Sequence, residues 1–102
     1  SIKNIRIGNH NRLTVALAFL QLSNDLVLEA NYKDALYFAE RARQLAPQLF
    51  AVYIMTFQSH YFLGDYDKAL VALRKLYKLQ PDSICIERFY SLLIQKGLDF
   101  SL

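Results

Sequence analysis

Side chains able to do chemistry are few in this chain, and they stand far apart. Its two histidines, His10 and His60, have no cysteine or carboxylate at metal-ligand spacing. Asp65, Asp67 and Asp99 fall among turn and cap residues, where a carboxylate serves the backbone rather than a substrate. No glycine-rich phosphate loop and no nucleophile motif occurs. A single cysteine, Cys85, excludes an internal disulfide. Flanked by Ile84 and Ile86, it reads as a small apolar residue in a reducing compartment, so the expected location is the cytosol. Catalysis needs polar groups that converge. The expectation is a non-enzyme with no metal and no cofactor.

Charge points the same way. A formal +3 comes from 12 basic and 9 acidic residues scattered along the chain, so no long-range field of one sign is built. The tightest basic group, Arg74, Lys75 and Lys78, lies beside no glycine-rich or aromatic platform and reads as a solvated helix face, not a nucleic-acid site. The apolar stretch from Leu13 to Leu20, broken by Thr14, is too short to span a bilayer. No signal-peptide order of charge, apolar run and cleavage site is read.

Helical spacing organises nearly all the rest. From about Arg12 to Glu29, Leu13, Ala16, Leu17 and Leu20 recur at steps of three and four, which predicts a first helix with Asn11 as its cap. A turn at Ala30-Asn31 leads to a second helix over about Tyr32 to Leu45, with Ala35, Ala39, Ala42 and Leu45 on one face. Pro47 can open a helix but cannot continue one, which predicts a third over about Gln48 to Leu63. Gly64-Asp65 then supplies a C-cap glycine and an N-cap aspartate back to back. A fourth helix, about Tyr66 to Leu79, ends before Pro81, and Asp82 or Ser83 caps a fifth that runs to about Gln95 and meets Gly97. No segment alternates polar and apolar as a half-buried strand does. Residues 1–11 lack a clear period and form an arm or helix extension; 12–102 form one domain.

These helices repeat. Moving Ala30-Asn31-Tyr32-Lys33-Asp34-Ala35-Leu36 by 34 residues superposes Tyr32 on Tyr66, Ala35 on Ala69 and Leu36 on Leu70; Leu45 falls on Leu79 and Pro47 on Pro81. Leu98-Asp99-Phe100 continues the period from Gly64-Asp65-Tyr66, so a third unit supplies its first helix and the turn after it. The expected architecture is all-α: a helix–turn–helix solenoid of about five helices, with repeats near 16–49, 50–83 and a partial 84–102. At 54% hydrophobic and 14% aromatic, the chain holds more apolar surface than a thin solenoid can bury, so part of it must face a groove or a partner.

The chain resembles the tetratricopeptide repeat, a helix–turn–helix unit of 34 residues with a leading aromatic, Leu-Gly and Tyr at fixed steps, a small Ala and a closing Pro. Phe19, Leu22, Ser23, Leu26, Ala35 and Pro47 hold those places in the first repeat. Tyr53, Thr56-Phe57, His60, Ala69 and Pro81 hold them in the second. Ala39 and Leu73 fill the aromatic place of the second helices. Phe57 stands where the family has a glycine, so the second helix pair is expected to be splayed or repacked. His60 stands where the family has a buried tyrosine, so it is expected to be a packed histidine.

By this resemblance the first helix of each repeat lines a concave groove. The implied stripe is Leu17, Leu20, Gln21, Asn24, Val27 and Leu28, then Ala51, Ile54, Met55, Gln58, Tyr61 and Phe62, then Cys85, Arg88, Phe89, Leu92 and Gln95. Co-chaperones of the family clamp carboxylate tails with charged donors along this stripe. Here only Asn24 matches that clamp; Leu20, Met55, Cys85 and Phe89 stand at the other places and would strand a carboxylate. An apolar groove suits the apolar face of a partner's amphipathic helix instead.

In size, repeat number and groove character the chain looks like the bacterial type III secretion chaperones. Those proteins hold the needle subunit's amphipathic helix and prevent premature polymerisation, usually with a second small helical co-chaperone. That implies a protein partner, no nucleic acid and no membrane. A part of a larger repeat scaffold or adaptor complex is the alternative. On either reading, Met55→Glu or Phe89→Glu is expected to abolish partner binding with the helices intact.

Overall fold

Small side chains set how closely the helices approach. Ala35, Ala39 and Ala42 line one face of one helix, Ala69 and Ala72 the matching face another repeat on, and all five are buried. A face of methyl groups lets a neighbouring backbone come near without leaving a void. The computed structural model describes residues 9–98 and 100–102. It is all-helical: α1 (Asn9–Leu28), α2 (Tyr32–Leu45), α3 (Phe50–Phe62), α4 (Tyr66–Leu79) and α5 (Ile84–Gln95), with no strand among the described residues. α1 packs on α2 and α3 on α4 as antiparallel hairpins; α2 also meets α3, α1 meets α3, and α5 meets α4. A continuous core runs through the stack, with Val52, Phe57, Leu73, Leu76 and Leu93 wholly buried.

Both helix-to-helix turns inside the hairpins are built alike. After α1, the Asn31 N–H reaches back to the Leu26 carbonyl at 2.8 Å; after α3, the Asp65 N–H reaches the His60 carbonyl at 2.9 Å. That long backward bond requires a left-handed residue between. Gly64 fills the place with φ +83°, whereas Ala30 fills its counterpart at φ +59°, where a Cβ is unfavourable. After α5 the left-handed residue is Gly97 at φ +76°, one residue ahead of the 34-residue register. The chain beyond it folds back: Leu98 and Phe100 are partly buried against the core, the Phe100 ring meets Tyr90 edge-on at 5.1 Å, and Arg74 Nη2 donates to the Ser101 carbonyl at 3.3 Å.

Several boundaries differ from the sequence expectation. α1 starts at Asn9, so Asn11 is inside the helix rather than its cap, while residues 9–11 extend the helix, one of the two expected forms; residues 1–8 and Asp99 lie outside the described residues. Neither proline opens a helix. Each occupies the second position of a β-turn, closed by Leu49 N–H to the Ala46 carbonyl (3.2 Å) and by Ser83 N–H to the Gln80 carbonyl (3.1 Å). Its fixed φ suits that position, and the next helix begins three residues later. Asn31, Asp65 and Ser83 hold cap positions, but none makes a side-chain cap bond. The Asn31 amide donates to Asp34 Oδ2 at 2.9 Å, and the Ser83 hydroxyl lies 3.2 Å from Cys85 Sγ.

Candidate partner-binding groove

Large rings hold α5 off α3. The side chain of Phe57 is fully buried, and its ring stacks on Phe89 of α5 with centroids 4.2 Å apart and planes 12° from parallel. Tyr61 continues the stack at 5.8 Å from Phe57. Where a glycine would let backbones touch, three aromatic rings keep them apart, and a groove of about 690 Å³ opens between the two helices. Phe57 thus repacks across to α5 and leaves the α3–α4 hairpin closed.

The groove brings together Ile54, Gln58, Tyr61 and Phe62 from α3 with Cys85, Arg88, Phe89, Leu92 and Gln95 from α5. Its floor is the ring stack. Its rim is polar, carrying amides and the Arg88 guanidinium, which makes no ion pair among the described residues. At one end the Lys96 ammonium stands 5.8 Å from the Tyr61 ring centroid and 5.9 Å from that of Tyr66. Beyond the edge, Phe62 is 53% exposed and stacks on Tyr32 at 4.8 Å, extending the apolar surface toward α2.

Sequence and structure part company over the rest of the stripe. Leu17, Gln21, Ala51 and Leu28 are exposed, Leu28 by 78%, but none lines this groove. Asn24 and Val27 are half-buried but do not line it either, and Leu20 belongs to the core. Met55, only 8% exposed, also lies in the core rather than on the groove wall. Phe89 is at once floor and core, again at 8%. A charge at Met55 or Phe89 would therefore break packing before it could report on binding, contrary to the expectation from sequence. Glu87 and Ser91, absent from the implied stripe, do line the groove. They sit four residues apart on the flank of the Arg88–Leu92 row, a spacing that the sequence already displayed.

Compared with protein-family models, curated proteins and solved structures, the chain matches none of them. Among the described residues no three His, Cys, Asp or Glu side chains gather as metal ligands, and no helix is long and apolar enough to cross a membrane.

The other face of α3 carries Tyr53 and His60. Tyr53, at the leading aromatic place, donates its hydroxyl hydrogen to the Pro47 carbonyl and so ties the turn to the helix it precedes. Burial holds its phenol above the usual value, with Arg43 opposing and Glu40 reinforcing the shift. His60 is half-buried, as a packed histidine would be. Burial, and then the Lys68 ammonium, push it below the usual imidazole value, against the carboxylates of Asp65 and Glu40.

Proposed function

We propose that this chain is a non-catalytic protein–protein interaction module, and that its α3–α5 groove holds the apolar face of a partner's amphipathic helix. The observation that supports this most is the groove's composition: a stacked floor of Phe57, Tyr61 and Phe89, walled by Ile54, Phe62 and Leu92, under a polar rim of Gln58, Gln95, Glu87 and Arg88. A helix presents apolar side chains every three or four residues, which a ring-floored trough between two helices receives, while a polar rim sets its direction.

The finer reading is a tetratricopeptide-type chaperone that shields the polymerising helix of a type III secretion needle subunit, with a second small helical co-chaperone. Size, repeat number and an apolar rather than cationic groove support it. A scaffold role is the second reading. It is favoured by Ile84 and Ile94 of α5, 74% and 46% exposed, which offer a surface on which further helices can stack.

Binding of a labelled amphipathic helical peptide, followed by fluorescence anisotropy, tests the groove. Phe62→Glu and Arg88→Glu alter exposed positions, so both variants should keep the parent's helicity and lose most of the affinity. Unchanged affinity in both sinks the groove reading. Capture from native lysate then separates the two roles, by a small polymer-forming helical protein or by subunits of one large complex.

A further inference from the structure

A second cleft, of about 320 Å³, opens on the far side of α3, bounded by α2 and α4. Thr56 and His60 reach it, each two residues along α3 from the groove residues Ile54 and Gln58 and therefore about 200° round the helix. Arg43 of α2 and Lys68 and Lys75 of α4 stand around it, against a single lining carboxylate, Glu40.

We propose that this cleft is an oxyanion site, taking a phosphate group or a ligand that carries one. Three cations from two helices converge on it, and only one of them has an acidic partner: Arg43 Nε binds Glu40 Oε2 at 2.9 Å. The Nη groups of Arg43 remain as donors at the fork. Lys68 and Lys75 form no ion pair among the described residues. The Lys75 ammonium is held over the Tyr53 ring, 5.8 Å from its centroid.

On the α3 wall, His60 Nδ1 is buried and has no hydrogen-bond partner among the described residues, while Thr56 spends its hydroxyl hydrogen on the Tyr53 carbonyl at 3.4 Å. A buried ring nitrogen without a partner is costly; with no surface open to the cleft it is out of a ligand's reach, and His60 meets the cleft through the rest of its ring. In the empty cleft burial and Lys68 favour neutral imidazole; an arriving anion counters both and draws a proton onto the ring. Glu40 on α2 and Asp65 before α4 oppose any anion. A divalent phosphate gains more from three cations than a single carboxylate does, which fixes the ligand class.

NMR titration of the full chain with inorganic phosphate at low salt tests this, read at the imidazole signals of His60 with His10 as the internal control. The expected result is a saturable shift at His60, a rise in its pKa on loading, and affinity weakened about two- to fivefold in Lys68→Gln and in Lys75→Gln, the scale of one solvent-exposed charge pair. Thermal melts of each variant check that the fold is kept. A linear drift of equal size at His10 and His60, indifferent to both lysine variants, means an adventitious ion only and overturns the proposal. So does acetate binding as tightly as phosphate. A phosphoserine peptide run in parallel distinguishes a chain-borne from a free phosphate, and tighter binding of either supports the shared chemistry. The outcome is independent of the groove, which lies on the opposite face of α3.

Discussion

The rings of Phe57 and Phe89 lie 4.2 Å apart and 12° from parallel, and this one contact both anchors α5 and opens the groove beside it. α5 has fewer close backbone neighbours than the other helices: it packs on α4, meets α3 through side chains, and also buries Ile86 and Leu93. Removing the second ring should therefore act locally. Phe89→Ala is expected to cost about 3 kcal/mol or more, the usual scale for a buried phenylalanine. Amide exchange in α5 should accelerate far more than in α1 and α2. Uniform acceleration along the chain would show that α5 is not a separate cooperative unit.

Two buried serines should respond with opposite sign. Ser23 Oγ donates to the Ala35 carbonyl at 2.7 Å and joins α1 to α2, so Ser23→Ala is expected to destabilise by about 1 kcal/mol. Ser59 is equally buried, yet its hydroxyl has no partner among the described residues. Ser59→Ala removes an unsatisfied group and almost no volume, and should stabilise by roughly 1 kcal/mol. Chemical denaturation with a constant slope measures both; a loss of stability in the Ser59 variant would show that its hydroxyl is satisfied in solution.

Ala30 offers a gain by the opposite route. Its φ of +59° costs an L-residue roughly 1–2 kcal/mol, and glycine avoids that while losing some unfolded-state entropy. Ala30→Gly should raise stability by about 0.5–1 kcal/mol, whereas Gly64→Ala should lower it by a similar amount. Neither change meets a packing obstacle, since a Cβ at Gly64 has nothing within 4 Å. Equal melting temperatures for Ala30→Gly and the parent would contradict the strained turn.

Acid should weaken the fold through His60. Its folded pKa lies below its unfolded value of about 6.5, because burial first and Lys68 second disfavour the imidazolium. The stability from keeping it neutral is thus complete above the unfolded value. It is lost as pH falls below that value, until the folded pKa is passed. His60→Gln should lose less stability than the parent between about pH 7.5 and pH 5. Parallel pH curves for the two proteins would exclude His60 as the source.

Local chemistry wrote much of the architecture into the chain. The alanine faces of α2 and α4, the glycine at 64 and the prolines at 47 and 81 each act within a few residues, so their spacing announces five helices and a 34-residue period before anything is packed. Even there the prolines were legible as boundaries but not as turn residues, because a fixed φ near −65° suits a helix start and a turn equally.

What tertiary structure alone decided is which of the repeated positions face a groove. Leu20, Ile54 and Arg88 are equivalent by period, yet the first is buried, the second half-buried and the third exposed. Gln21, Met55 and Phe89 are also equivalent, and they run from exposed to buried. Each hairpin meets different neighbours, and the stack has two unlike ends, so one stripe in sequence becomes several environments in space. The 34-residue period, carried by short-range signals, is in the sequence. The groove depends on where a phenylalanine at position 57 sends its ring, and only packing against α5 determines that; the cationic cleft depends on how α2 and α4 close on the far face of α3.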